Sequence, residues 1–184
     1  AITAAGRTVG LTSPERSHPS NRPHPPLIEF GDTHTQDGVP DEPVTNIGLE
    51  LPAEYGALYH AAPLAYYLGA EVTIGSSQPT LQMRGSGTTH QFKRGGAFAT
   101  EAANLLRRVF FLDCFARRTA AGGCPAPEQP LPFDIGRYSE RSMADRLTTA
   151  LAFPAVDTVL PEWHLSTAIE PAVEHARALP YLLD

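Results

Sequence analysis

Leu58–Met83 reads LYHAAPLAYYLGAEVTIGSSQPTLQM, an apolar helical segment that stops at Gly69 and gives way to two short alternating stretches. Tyr55, Leu58, Tyr59 and Ala62 recur at helical spacing, and Pro52 suits a first helical position, where its missing N–H would have no partner anyway. Pro63 interrupts this ladder, because its ring clashes with the carbonyl one turn back. The helix is therefore expected to kink there, or to restart as residues 63–68 before the glycine ends it. Val72 and Ile74, then Leu81 and Met83, alternate as two half-buried strands joined by Gly75-Ser76-Ser77-Gln78, with a third strand expected over His90–Lys93.

Working outward, Leu27–Phe30 is a short strand candidate, and Val44, Ile47, Leu49 and Leu51 mark another over Val44–Leu51. Residues 12–26, TSPERSHPSNRPHPP, carry five prolines and no apolar periodicity, so residues 1–26 read as an extended, proline-rich lead-in. Downstream, the longest helix is expected from Ala97 to about Arg118, with Phe98, Ala102, Leu105, Val109 and Leu112 on one stripe. Its centre, VFFLDCF, is apolar nearly all round, a pattern that calls for cover on more than one side.

Residues 122–132, GGCPAPEQPLP, form an irregular loop. Ser142, with Asp145 three residues on, opens a helix over Met143–Leu151 whose apolar face is Met143, Leu147, Ala150 and Leu151. Trp163, Leu165, Thr167 and Ile169 alternate as a late strand, and Pro171 opens a final helix to Ala178. Mixed order of this kind predicts an α/β fold, with a single small sheet, a long buried helix and flanking shorter helices, as one domain over residues 27–184.

Composition narrows the function classes. With 14 basic against 20 acidic residues the net charge is −6, so no basic stripe is at hand for nucleic acid or an anionic membrane. The chain has no apolar run of about 18 residues to span a bilayer and no signal-peptide pattern. It begins at Ala1 and ends at Asp184 directly after an apolar stretch, and so reads as a fragment of a longer protein. Cys114 and Cys124 are its two cysteines, which fits reduced thiols in the cytoplasm, with a single disulfide as the alternative.

Three sets of residues bear on chemistry. Asp32-Thr33-His34 with Asp37 follows the strand candidate LIEF. A carboxylate and an imidazole two residues apart suit a divalent metal, as in the Asp-x-His opening of metallophosphoesterases, with His60 or His164 as more distant ligands. The later Gly-Asp-x-x-Asp and Gly-Asn-His segments of that family are absent, so a solvated loop is the plainer reading and no metal or cofactor is assigned. Arg84–Thr89, RGSGTT, with Lys93 and Arg94 nearby, could cradle a phosphate in a small-molecule binding module; lying between two strand candidates, it reads better as a hairpin turn. Asp113, inside the apolar helix centre, needs a partner, and Arg117 one turn on is the expected one. His60, His90 and His164 fall in three different elements, each read as a structural histidine, and no catalytic residue is assigned.

Taken together, TSPERSHPSNRPHPPLIEFGD, YHAAPLAYYLGAEVTIGSSQPTL with RVFFLDC, and LPEWHLSTAIEP with ALPYLL resemble an internal segment of large, uncharacterised haloarchaeal proteins. The resemblance implies a place ahead of a C-terminal CHAT-type, caspase-like region that carries its own His and Cys. It implies that this chain is a non-catalytic neighbour serving in packing or interaction, with the rest of the parent polypeptide or another protein as partner. Cys114 lies mid-helix and not at a strand end, which is no position for a caspase-like nucleophile.

Overall fold

A computed structural model describes residue 2 and residues 27–32, 45–120, 133–153 and 167–183. Of the proline-rich lead-in only Ile2 falls among them, and the loop over residues 122–132 lies outside them. The fold is mixed α/β. In chain order it comprises β1 (Ile47–Leu51), α1 (Tyr55–Leu68), β2 (Glu71–Ile74), β3 (Thr80–Met83), β4 (Thr88–Gln91), α2 (Gly96–Ala120), α3 (Met143–Ala152), a 3-10 helix (Val173–Ala178) and α4 (Leu179–Leu183).

The four strands form one sheet in the order β2-β1-β3-β4. Leu58–Met83 thus passes from one side of β1 to the other. α1 carries the chain over from β1 to a parallel β2, with Gly48 opposite Glu71 and Leu51 opposite Ile74. β3 then pairs antiparallel on the other side of β1, so β2 and β3, neighbours in sequence, are separated by a strand. Arg84 to Gly87 make the turn of the β3–β4 hairpin, in line with the turn reading of that glycine-rich segment.

Register assigns the faces, because opposite residues share a face and successive ones alternate. Ile47, Leu49, Leu51, Val72, Leu81, Met83 and His90 point to one side; Gly48, Glu50, Glu71, Thr73, Gln82 and Thr89 point to the other. The first set joins the core, with Leu49, Leu51, Leu81 and Met83 fully buried. α1 contributes Ala61, Ala62, Leu64, Ala65 and Leu68, and α2 contributes Phe98, Ala102, Leu105, Val109 and Leu112, the stripe its periodicity predicts. α2 packs against both α1 and α3, which gives its apolar centre cover on two sides, while Phe110 remains 40% exposed.

The helix ends follow their chemistry. Gly69 takes φ 59 and donates its N–H to Tyr66 O, and Ala70 donates to Ala65 O. This paired closure of the last turn requires a left-handed residue, which glycine supplies without strain. The hydroxyl of Thr45 donates to Gly69 O at 2.9 Å, tying the end of α1 to the approach of β1. At α3, Ser142 accepts the Asp145 N–H at 3.2 Å, the capping expected from their spacing.

Several expectations are corrected. Leu27–Phe30 forms no strand: no described strand lies beside it, and Leu27 and Phe30 are 77% and 53% exposed. α1 begins at Tyr55 with Glu54 as its cap, not at Pro52. It runs unbroken through Pro63, which sits on the exposed face, where water can solvate the carbonyl that the proline leaves without a donor. β4 is Thr88–Gln91, two residues earlier than the third strand expected. Residues 167–170 carry no strand and residues 163–166 lie outside the description, while the final helical segment starts as a 3-10 helix and continues past Ala178 to Leu183.

Candidate functional site

Asp113 is the one buried carboxylate among the described residues, at 5% exposure, and three helices meet around it. α2 supplies it from the edge of the buried stripe. Tyr67, on the last turn of α1, donates its hydroxyl to Asp113 Oδ2 at 2.7 Å. Arg146, on α3, donates from Nη1 to Asp113 Oδ1 at 3.0 Å. Each carboxylate oxygen therefore holds a charge-assisted bond to a different helix, the stronger kind of hydrogen bond in a protein interior.

The expected partner, Arg117, is not the one used. Its Nη2 instead approaches Cys114 Sγ at 3.8 Å. A short aspartate in a helix–helix seam is best compensated by a cation that shares its burial, and Arg146 arrives across the seam with its side chain 16% exposed. Tyr138, fully buried, brings a second phenol to the cluster from the segment ahead of α3. Its hydroxyl sits beside the same carboxylate but outside hydrogen-bond geometry. Arg146 Nε is likewise buried without a partner.

Burial, then the charge of Asp113, pushes the pKa of both Tyr67 and Tyr138 well above the ordinary tyrosine value. Both phenols stay protonated, so Tyr67 remains a donor. Burial also raises the Cys114 thiol, against a smaller lowering by Arg117. That is the opposite of the tuning an attacking thiolate needs. The Tyr67 hydroxyl, the Arg146 Nη1 and the Asp113 carboxylate are spent on one another, and the arrangement fastens α1, α2 and α3 together.

A second charged feature lies on the polar face of the sheet. Arg84, leaving β3, reaches across Gly48 of β1 to form an ion pair with Glu71 of β2. At the opposite sheet edge, Lys93 donates its backbone N–H to Glu101 Oε2 at 2.8 Å and its ammonium to Oε1 at 3.0 Å, which binds the exit of β4 to the first turns of α2. The Lys93 backbone bond is the main reason the Glu101 pKa falls below its ordinary value. His90 stacks edge-on against Phe92 at 4.7 Å, and burial lowers its pKa.

Of the metal candidates, Asp32 is exposed, while His34 and Asp37 lie outside the described residues. His60 is on the exposed side of α1, His90 is on the apolar face of β4, and His164 is outside the description, as is Cys124. Among the described residues no group of three or more His, Cys, Asp or Glu side chains is placed to hold a metal. Reading the sequence missed Tyr67, Tyr138 and Arg146. Arg146 stands four residues before Ala150, beside the apolar stripe of α3, which places its stem at the helix seam but names no partner.

No helix of the described residues is long and apolar enough to cross a membrane. A scan against protein-family models returned no match, and neither the curated proteins nor the solved structures yielded a similar chain.

Proposed function

We propose that this chain is a non-catalytic packing and interaction module of a larger intracellular protein. Its partner is the rest of the parent polypeptide, which by the resemblance above includes a caspase-like region, or another protein. The observation that carries the reading is a set of large apolar side chains left exposed on segments that touch one another. Tyr55 on α1, Phe30, Val173 on the 3-10 helix, and Tyr181 and Leu182 on α4 are 49%, 53%, 43%, 55% and 45% exposed. Tyr59 donates its hydroxyl to Ala172 O at 2.8 Å, Arg177 lies over the Phe30 ring at 5.3 Å, and α1 packs against α4, so the segments that carry these residues adjoin one another. Grouped exposure of this kind marks contact surfaces more often than scattered exposure does.

The Asp113 cluster supports the same reading, since its groups are consumed in holding helices. The test is calorimetric titration of the chain with the polypeptide encoded downstream in its parent gene. Binding that weakens at least about tenfold on Tyr181→Glu with Leu182→Glu supports the module. Hydrolytic activity of the isolated chain that disappears on Asp32→Ala overturns it in favour of a metal-dependent hydrolase.

A further inference from the structure

We propose that residues 133–153 form a detachable unit, which undocks from α2 as one cooperative piece and is latched by the Arg146–Asp113 pair. The segment is closed on itself. Phe133 stacks on Tyr138 with ring centroids 5.8 Å apart and meets Phe153 edge-on at 5.9 Å, so its two ends hold each other across α3. Ser142 caps the helix, and Arg141 Nη1 donates to Thr149 Oγ1 at 2.9 Å. None of these links depends on the rest of the protein.

Its attachment is of a different kind. Arg146 reaches Asp113, and Arg108 of α2 donates from Nη1 to Ala150 O at 3.0 Å, which clasps the carbonyl end of α3. The fully buried contribution of the unit is Tyr138, Leu147 and Ala150, with Ala144 close behind, while Phe133, Ile135, Met143, Leu151 and Phe153 stay partly buried. By contrast, β1 buries Ile47, Leu49 and Leu51 and is hydrogen-bonded on both edges, and α1 is joined to it through the crossover and buries Leu64, Leu68 and a row of alanines. Among the described residues the unit shares no strand pairing, so releasing it breaks no described ladder.

The docked state also carries a cost. Tyr138 Oη and Arg146 Nε are both buried at this seam without a hydrogen-bond partner. Undocking returns both donors to water and recovers their solvation, which offsets part of the burial lost. Elements with few buried apolar contacts and a polar attachment are the ones that open below the global unfolding free energy.

The experiment is native-state hydrogen exchange by mass spectrometry on the whole chain, in urea below the unfolding transition. Amides of residues 147–152, in a ten-residue helix that does not hold by itself once its docking face is lost, are expected to exchange at least about tenfold faster than those of β1 and of residues 105–112, with one urea dependence common to the unit and smaller than theirs. A single urea dependence shared by all three segments would overturn the proposal. Arg146→Met, which keeps the length and loses the latch, is expected to speed exchange in α3 by a further factor of about ten with the circular dichroism spectrum retained. Exchange in α3 unmoved by that substitution would remove Arg146 as the latch.

Discussion

Asp113→Ala removes an acceptor whose side chain is 3% exposed and which receives bonds of 2.7 Å from Tyr67 and 3.0 Å from Arg146. The substitution does more than delete two hydrogen bonds: it leaves a guanidinium, 16% exposed, facing an apolar seam without its counter-ion. Breaking a buried pair from one side costs about 3–5 kcal/mol, most of it the stranded charge. In a chain of this size each kcal/mol moves Tm by about 2–4 °C, so a fall of roughly 6–20 °C is expected. Urea unfolding followed by far-ultraviolet circular dichroism gives the loss directly. The double variant Asp113→Ala with Arg146→Met strands nothing charged, and it is expected to recover at least about 1 kcal/mol relative to Asp113→Ala alone. A loss below about 1 kcal/mol for the single variant, the scale of an exposed pair, would refute the buried-hub account, as would strictly additive losses in the double variant.

Gly69→Ala places a Cβ at φ 59 and 3.0 Å from Thr45 Cγ2, so a loss of about 1–2 kcal/mol is expected in the same urea assay. His90 has a pKa lowered by burial, so the folded state resists protonating it. Its contribution is intact above the ordinary value of 6.5 and declines as pH falls below it, and His90→Gln should flatten the dependence of stability on pH over that window; an unchanged slope counts against it. Cys114, its thiol raised by burial, is expected to be alkylated by iodoacetamide more slowly than free glutathione at neutral pH, as read by mass spectrometry of the peptide that contains it.

The sequence and the structure agree where local periodicity is enough. Leu49, Leu81 and Met83 alternate because one face of their sheet meets helices, and Phe98 to Leu112 recur at helical spacing because that stripe is buried. Gly69 ends α1 because the closure needs a left-handed residue. Pairing order was not legible in this way: nothing in EVTI or TLQM states that β1 lies between them, since that follows from the crossover through α1. LIEF shows the limit of propensity, for a short, mostly apolar segment becomes a strand only beside another strand. The partner of Asp113 was misassigned for a related reason. The rule of one turn along the same helix weighs only local neighbours, whereas burial selected Arg146, 33 residues away, and Tyr67, 46 residues away.

The ion pair across Gly48 bears on how the sheet finds its alignment. Arg84 passes over the central strand at the one position without a side chain, and a Cβ there would already stand 3.0 Å from its Nη2. A slip of β1 by a single residue would set Ile47 or Leu49 in that path and turn the apolar row of the strand outward. The arginine would then have to swing aside to reach Glu71, at the moment the core lost its lining. Glycine on β1, arginine in the turn after β3 and glutamate on β2 thus add a small bond, on the exposed face, to the alignment that the buried face already favours.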